Sequence, residues 1–289
     1  MPKISVIVPH YRDLTGLDVC LAALGRQTYP KDDYEIIVAD NGSPEGEDAV
    51  SRAIAGRARL VVVSERGAGP ARNGGVAVAT GSILAFTDSD CQPEPEWLAE
   101  GVRALAIHDF VGGQVKVLVD NAERISPTEA FEVVFAFDFE TYITRKGFTG
   151  AGNLFCSREL FDKVGGFRPS VSEDVDWSHR AIAAGYRIGY APGAIVGHPA
   201  RKSWADLHRK WKRINAEMYR LQAAQKNGRI LWLLRTCLLP ASALAHSARV
   251  LLSPKLNSPS QRISALGILY RLRLWRFADS FRLLITERV

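Results

Sequence analysis

Four cysteines are all that the 289 residues carry, and Cys20, Cys91, Cys156 and Cys237 form no C-x-x-C pair and no metal-finger spacing. That scatter argues against a disulfide framework or a structural zinc site and predicts the reduced thiols of a cytosolic protein. Long hydrophobic runs are missing too. The N-terminal ISVIV is too short for the core of a signal peptide. Nowhere do about 18 apolar residues run without a charge, so no transmembrane helix is predicted. ILWLLRTCLLPASALAHSARVLL comes closest, interrupted by Arg235, Pro240, His246 and Arg249. Acidic residues become scarce towards the end. Residues 201–289 carry 18 Lys+Arg against four acids, Asp206, Glu217, Asp279 and Glu287, a net of +14, whereas residues 1–200 have a net of −8. Two regions of opposite charge predict two jobs.

What is present is a large core, since 47% of the residues are hydrophobic. ISVIV (4–8), EIIVA (35–39), RLVVV (59–63) and SILAF (82–86) are continuous apolar runs, as expected of parallel strands covered on both faces. Leu14, Leu17, Leu21 and Leu24 share one helical face, and ARNGGVAVAT follows the third strand as a second helix. Strand and helix in alternation predict a doubly wound α/β sheet, which binds ligands outside the carboxyl ends of its strands.

Those ends are PHYRD, DNGS, SERGAGPARNGG and TDSD. Each alone reads as an ordinary polar loop; four together predict a site. Asp88 and Asp90 close the fourth strand with one serine between them and no basic residue nearby in sequence. Pro93 and Glu94 rule out a calcium loop, which needs a glycine and further ligands there. Two hard carboxylates at a strand end suit a divalent cation that also grips a diphosphate, although Asp is also common in plain turns. In GAGPARNGG, Arg72 stands where a dinucleotide fingerprint needs its third glycine. The stretch reads instead as a loop into a helix N-terminus that presents Arg72 and Asn73 to an anion or nucleotide, or as a structural turn. SEDVDW places Glu173, Asp174 and Asp176 at the start of a helical pattern. Carboxylates there serve either the helix dipole or chemistry.

Taken in order, ISVIVPHYRD, VADNGS, GAGPARNGG, FTDSDC, TGAGNLFCSRELFDKVGGF and SEDVDWSHRAIAAGYRIGY resemble the family 2 glycosyltransferases over about 200 residues. The resemblance implies the GT-A fold, a Rossmann-like mixed sheet flanked by helices, and inverting transfer of one sugar from a nucleotide-sugar, typically a UDP-sugar. It implies a base pocket from Pro9, Tyr11 and Asp40, with Arg72 approaching the nucleotide. Asp88 is implied on the ribose side, with Ser89 beside it at the donor. Asp90 is implied as the ligand of Mn²⁺ or Mg²⁺, with Asp88 contributing and His198 completing the metal site. Gly150, Gly152 and Asn153 would approach the transferred sugar. Asp174 would be the general base and Glu173 its acceptor-orienting neighbour, with Asp176 structural. LHRKWKR lacks the Gln-x-x-Arg-Trp motif of processive synthases, which implies single addition to a glycan or lipid-linked acceptor.

The domains expected are 1–200, with a nucleotide-binding half (1–91) and an acceptor half (92–200), and a basic helical region over 201–289. There, Leu207, Trp211, Ile214, Met218 and Leu221 form one stripe, and Leu266, Tyr270, Leu274, Phe277, Phe281 and Leu284 another. Such stripes serve core packing, an oligomer interface between copies of the chain, or the surface of an anionic membrane, and the last predicts a peripheral protein on the cytoplasmic face. No recognised nucleic-acid-binding module is present, so no nucleic-acid partner is expected. The competing readings are a nucleotidyltransferase, which would want a glycine-rich basic loop after the first strand, a dinucleotide-dependent oxidoreductase, and an inactive membrane-bound scaffold.

Overall fold

The computed structural model describes residues 3–169 and 171–287. The chain runs β1 (Ile4–His10), α1 (Leu14–Leu24), β2 (Tyr34–Asp40), α2 (Glu47–Ile54), β3 (Arg59–Val62), α3 (Ala68–Val78), β4 (Ile83–Thr87), β5 (Gln92–Pro93) and α4 (Trp97–Leu105). It continues with β6 (Phe110–Leu118), α5 (Pro127–Phe135), α6 (Phe139–Lys146), β7 (Asn153–Ser157), α7 (Arg158–Val164), α8 (Glu173–Ala183) and β8 (Ile188–Pro199). Four helices follow, α9 (Trp204–Ala223), α10 (Gly228–Cys237), α11 (Leu239–Leu251) and α12 (Pro259–Thr286).

Eight strands form one mixed sheet in the order β3-β2-β1-β4-β7-β6-β8-β5. β3, β2, β1 and β4 are parallel neighbours, while β7 runs antiparallel to β4 and β6. Both faces of the central strands are covered, every residue of β1 being buried, but β3, expected to be covered too, is instead a half-exposed edge strand with Val62 exposed. On one face, Val6, Val8, Leu17, Leu21, Val50 and Trp97 pack together; on the other, Ile7, Phe86, Phe110, Phe161, Phe167 and Trp177. Since β1 pairs with β2 so that His10 lies opposite Asp40, the two strands deliver their polar ends side by side.

Two compact units divide the chain. One takes residues up to Lys116 together with 137–169 and 173–198; the other is built on Val117–Ala136 and the chain from Pro199 onwards. The division differs from the expected halves, because α5 leaves the 92–200 segment for the helical unit. The reason is apolar: Ala130, Phe131 and Val134 of α5 join Leu207, Val250, Leu256, Ala265, Ile268, Leu269 and Leu272 in one core.

In the helical unit, the stripe expected on α12 is misplaced. Its buried face runs through Ala265, Ile268, Leu269, Leu272, Arg276, Asp279, Ser280 and Leu283, whereas Tyr270 and Leu274 are exposed. The helix hides polar groups that satisfy each other, so hydrophobicity alone misreads the face. Asn215 of α9 donates to Asp279 Oδ2 at 2.9 Å, and Arg276 stacks over Trp211 at 4.4 Å. On α9 itself, Leu207 of the expected stripe is fully buried, along with Asn215 and Tyr219, which are not on that stripe.

Glu132 of α5 is the buried electrostatic hub of this unit. Its carboxylate accepts from Arg201 N at 2.7 Å, Arg201 Nη1 at 3.0 Å and Lys210 Nζ at 3.2 Å. Burial works to raise its pKa, but Lys210 and Arg201 outweigh that and hold it below the usual carboxylate range. Burial pushes the Lys210 ammonium down to about 8 despite Glu132. Removing Glu132 would take a fully buried carboxylate from two half-buried cations. Glu132→Ala is expected to lower the unfolding free energy by about 3–5 kcal/mol in urea titrations; a loss below about 1 kcal/mol would show that the cluster carries little stability.

Candidate active site

The carboxyl ends of β1, β2 and β4, the first turns of α3 and α8 and the end of β8 supply the polar residues of the sheet unit. Three groups form. At the ends of β1 and β2, Asp40 Oδ1 meets His10 Nδ1 at 2.8 Å, and Ser43 donates to Asp40 through Oγ at 2.5 Å and through its backbone N–H at 2.9 Å. Asp40 is almost fully buried. Burial alone would raise its pKa, but the Ser43 and His10 hydrogen bonds win and hold it below the ordinary value, so it is a carboxylate at neutral pH. Pro9 is buried in β1, and Tyr11 is exposed with the Arg12 guanidinium 5.0 Å above its ring.

The second group centres on Arg72. The glycine-rich stretch enters α3 at Ala68, so Arg72 lies inside the helix rather than in the loop before it. It is only 4% exposed. Nη2 donates to Asp88 Oδ1 at 2.5 Å and Nη1 to Glu173 Oε1 at 3.0 Å. Arg72 thus stands inside the helix rather than in the loop expected for it, joining β4 to α8, while its Nε has no hydrogen-bond partner among the described residues. Asp88 and Asp90 likewise differ. Asp88 is neutralised by a basic residue 16 positions earlier. A Cβ on Gly152 would lie 2.7 Å from Asp88 Oδ2, so a side chain there would displace that carboxylate.

Asp90 belongs to the third group. Its Oδ2 lies 3.5 Å from His198 Nε2, and the ligand atoms of Asp90, Cys91 and His198 all fall within 4.8 Å of one another. An oxygen and a nitrogen donor on so small a triangle fit one divalent cation. Burial and the neighbouring Asp88 and Asp90 push the Cys91 thiol well up, which keeps it a protonated, softer third member. The ring of Phe137 covers His198 at 4.5 Å. Phe137 adopts φ +57°, a left-handed conformation that costs a bulky residue energy and is seen where placement of the side chain matters.

α8 is anchored by aromatic packing. Trp177, one turn after Glu173, is fully buried against Phe110, Phe161 and Phe167, and its indole N–H donates to Gly165 O at 3.0 Å. That fixes the first turn, where Asp174 is half-buried and Glu173 reaches Arg72. Asp176 takes a structural role, bound by Arg180 at 2.8 Å.

Asn153 does not face the site. It is fully buried, accepts from Trp97 Nε1 at 2.9 Å and donates to Gln114 O and Ala194 O, so it pins β7 among its neighbours. Gly150 packs against the Phe139 ring, 2.7 Å from where its Cβ would be, and Ser89 is half-buried between the two aspartates. His10, Ser43, Cys91 and Phe137 were not singled out from sequence. Only His10 and Ser43 carried a visible signal, as polar residues in the strand-end loops PHYRD and DNGS.

A curled mixed sheet with carboxylates gathered at its strand ends is the architecture of GT-A glycosyltransferases, a class of sugar-transferring enzymes. The family model described as glycosyl transferase family 2 matches residues 5–169. Glycosyltransferase AglE of Haloferax volcanii is 33% identical over 222 residues, 74% of this chain and 72% of AglE. Validoxylamine A glucosyltransferase of Streptomyces hygroscopicus subsp. jinggangensis is 34% identical over 110 residues, covering 37% of this chain but only 26% of that longer protein. Among solved structures, the mannosyltransferase PcManGT from Pyrobaculum calidifontis, in complex with GDP-Man and Mn2+, aligns over 100% of this chain and 88% of its own with a TM-score of 0.62 at 22% identity. S. aureus TarS 1-349 in complex with UDP-GlcNAc aligns over 98% and 90% with a TM-score of 0.53 at 20% identity. The chain belongs to glycosyltransferase family 2.

Proposed function

We propose that this glycosyltransferase moves one sugar from a nucleoside diphosphate sugar to a hydroxyl of a glycan or lipid-linked acceptor, with inversion and the help of a divalent cation. The observation that carries the reading is Arg72 joining Asp88 at the end of β4 to Glu173 in the first turn of α8, with Asp90, two residues on, beside His198. Asp40, kept ionised by Ser43 and His10, accepts an N–H from the nucleotide base. Asp90 and His198 hold the cation, which when bound offsets the negative charge of the departing diphosphate. A solved neighbour carrying GDP-Man and Mn2+ supports that assignment. Asp174 takes the proton from the acceptor hydroxyl as its oxygen bonds to the anomeric carbon, while the bond from that carbon to the diphosphate breaks on the opposite side. Glu173, held by Arg72, borders this path.

Calorimetric titration of UDP, GDP and dTDP, with and without Mn²⁺, tests the reading. One nucleotide is expected to bind in a metal-dependent way. Asp90→Asn is expected to weaken it by at least the roughly 10–100-fold that loss of even an outer-shell metal partner costs. Absence of binding by all three to folded protein would reject the transferase assignment of these residues and favour an inactive scaffold.

A further inference from the structure

The buried faces of α9 and α12 build the helical unit's interior, but α10 and α11 carry a second apolar surface that nothing covers among the described residues. Trp232, Thr236, Leu239, Ala243 and Val250 of this pair point inwards and are buried. On the outside, Ile230, Leu231, Leu234, Leu238, Leu244 and Leu252 are exposed, Leu238 by 66%, Leu244 by 69% and Leu252 by 82%. Single exposed leucines are ordinary; six within 23 residues around one elbow form a patch.

Charge selects the occupant. Between Glu217 and Asp279 there is no carboxylate, while ten Lys and Arg residues lie in that interval. Lys226, Arg235 and Lys255 are exposed there. Arg235, Arg273 and Arg276 come close enough to repel one another, and the Nε atoms of Arg273 and Arg276 are buried with no hydrogen-bond partner among the described residues. The nearest carboxylate, Asp279, is already bound by Asn215 and Arg282. A second copy docking on this face would set like charge against like charge. A bilayer rich in anionic lipids supplies both the apolar depth and the negative phosphates.

Length and bend suit a pair that lies along a surface. Among the described residues no single helix is long and apolar enough to cross, and α10 and α11, which pass that test only together, are bent by 55° at their junction. We propose that the α10–α11 elbow is a docking surface for an anionic bilayer, its leucines entering the interfacial layer and its flanking Lys and Arg residues meeting lipid phosphates. The surface is independent of the assignment of the catalytic residues.

Flotation of the full chain with vesicles of phosphatidylcholine, alone or doped with phosphatidylglycerol, tests it. The chain is expected to float with the doped vesicles and to bind less as salt rises. Leu234→Ser/Leu238→Ser/Leu252→Ser and, separately, Lys226→Gln/Arg235→Gln/Lys255→Gln are each expected to weaken binding on the order of 100-fold. All six side chains are exposed, so an unchanged Tm checks that both variants fold. No flotation of the wild-type chain at low salt would overturn the proposal. So would leucine variants that bind as tightly as wild type, which would reduce the effect to bare charge. Conversion of a wild-type dimer to a monomer by the leucine changes, with vesicle binding intact, would assign the elbow to a second copy instead.

Discussion

Asp174→Asn is expected to reduce kcat by roughly 10²–10⁴-fold, the usual contribution of a positioned general base, while donor nucleotide affinity stays within about twofold. The separation follows from the geometry of the first turn of α8. Consecutive helical residues point about 100° apart, so Glu173 and Asp174 aim their carboxylates in different directions, although both act on the Arg72 charge. Glu173 spends its carboxylate on Arg72, with 14% of its side chain exposed. Asp174 Oδ1 accepts from Val175 N at 2.8 Å, a contact that orients the carboxylate in the first turn. Buried Trp177 holds the turn in place, so the near-isosteric asparagine changes basicity and little else. Single-turnover assays alongside calorimetry make the test. A variant that keeps activity within tenfold would move the base elsewhere, and a variant that loses nucleotide binding as well would make Asp174 part of the donor site.

Much of this arrangement could be read from the chain itself. Three of the four apolar runs become the covered strands β1, β2 and β4, because parallel strands under helices are hydrophobic on both sides, whereas β3 is a half-exposed edge strand; their polar ends lie where such topology binds ligands. The pairings could not be read. Nothing in TDSD shows that Asp88 is answered by Arg72, because that pair depends on α3 packing on β1, the neighbour of β4, a tertiary fact. The same holds for Asn153, whose polar side chain in a glycine-rich stretch looks exposed but is consumed by Trp97 and two carbonyls. In the helical unit the failure has another cause. A stripe of large apolar residues is a sound guide only where the core is apolar, and α12 buries Arg276, Asp279 and Ser280 while Leu274 faces outwards. The apolar surface left over, on α10 and α11, lies within the longest hydrophobic stretch of the chain, but a stretch broken by Arg235, Pro240, His246 and Arg249 does not show which of its leucines face outwards.

Arg72→Met is expected to be the most damaging single change in the sheet unit, because it removes one charge and exposes the need for it in two places. The guanidinium is wholly enclosed, with Phe167 5.9 Å away on its flank. Burial works to lower its pKa, but Asp88 and Glu173 together more than offset that, so it stays protonated. Methionine fills similar volume and leaves two carboxylates facing one another with no cation. Breaking a buried pair in this way costs about 3–5 kcal/mol. Solvent reaches 35% of the Asp88 side chain, which places the expected loss near the lower limit, about 3 kcal/mol. Arg72→Lys should recover only part, since one ammonium cannot span two acceptors on different elements as a planar fork does. The decisive comparison is the triple variant Arg72→Met/Asp88→Asn/Glu173→Gln, which removes both stranded charges. It should regain most of the stability in denaturant titrations yet remain inactive, since the β4 end and the first turn of α8 would no longer be held in register. Recovery of activity with stability would mean that Arg72 serves only to balance charge. Failure to recover stability would show that its hydrogen-bond geometry, rather than its charge, holds β4 to α8.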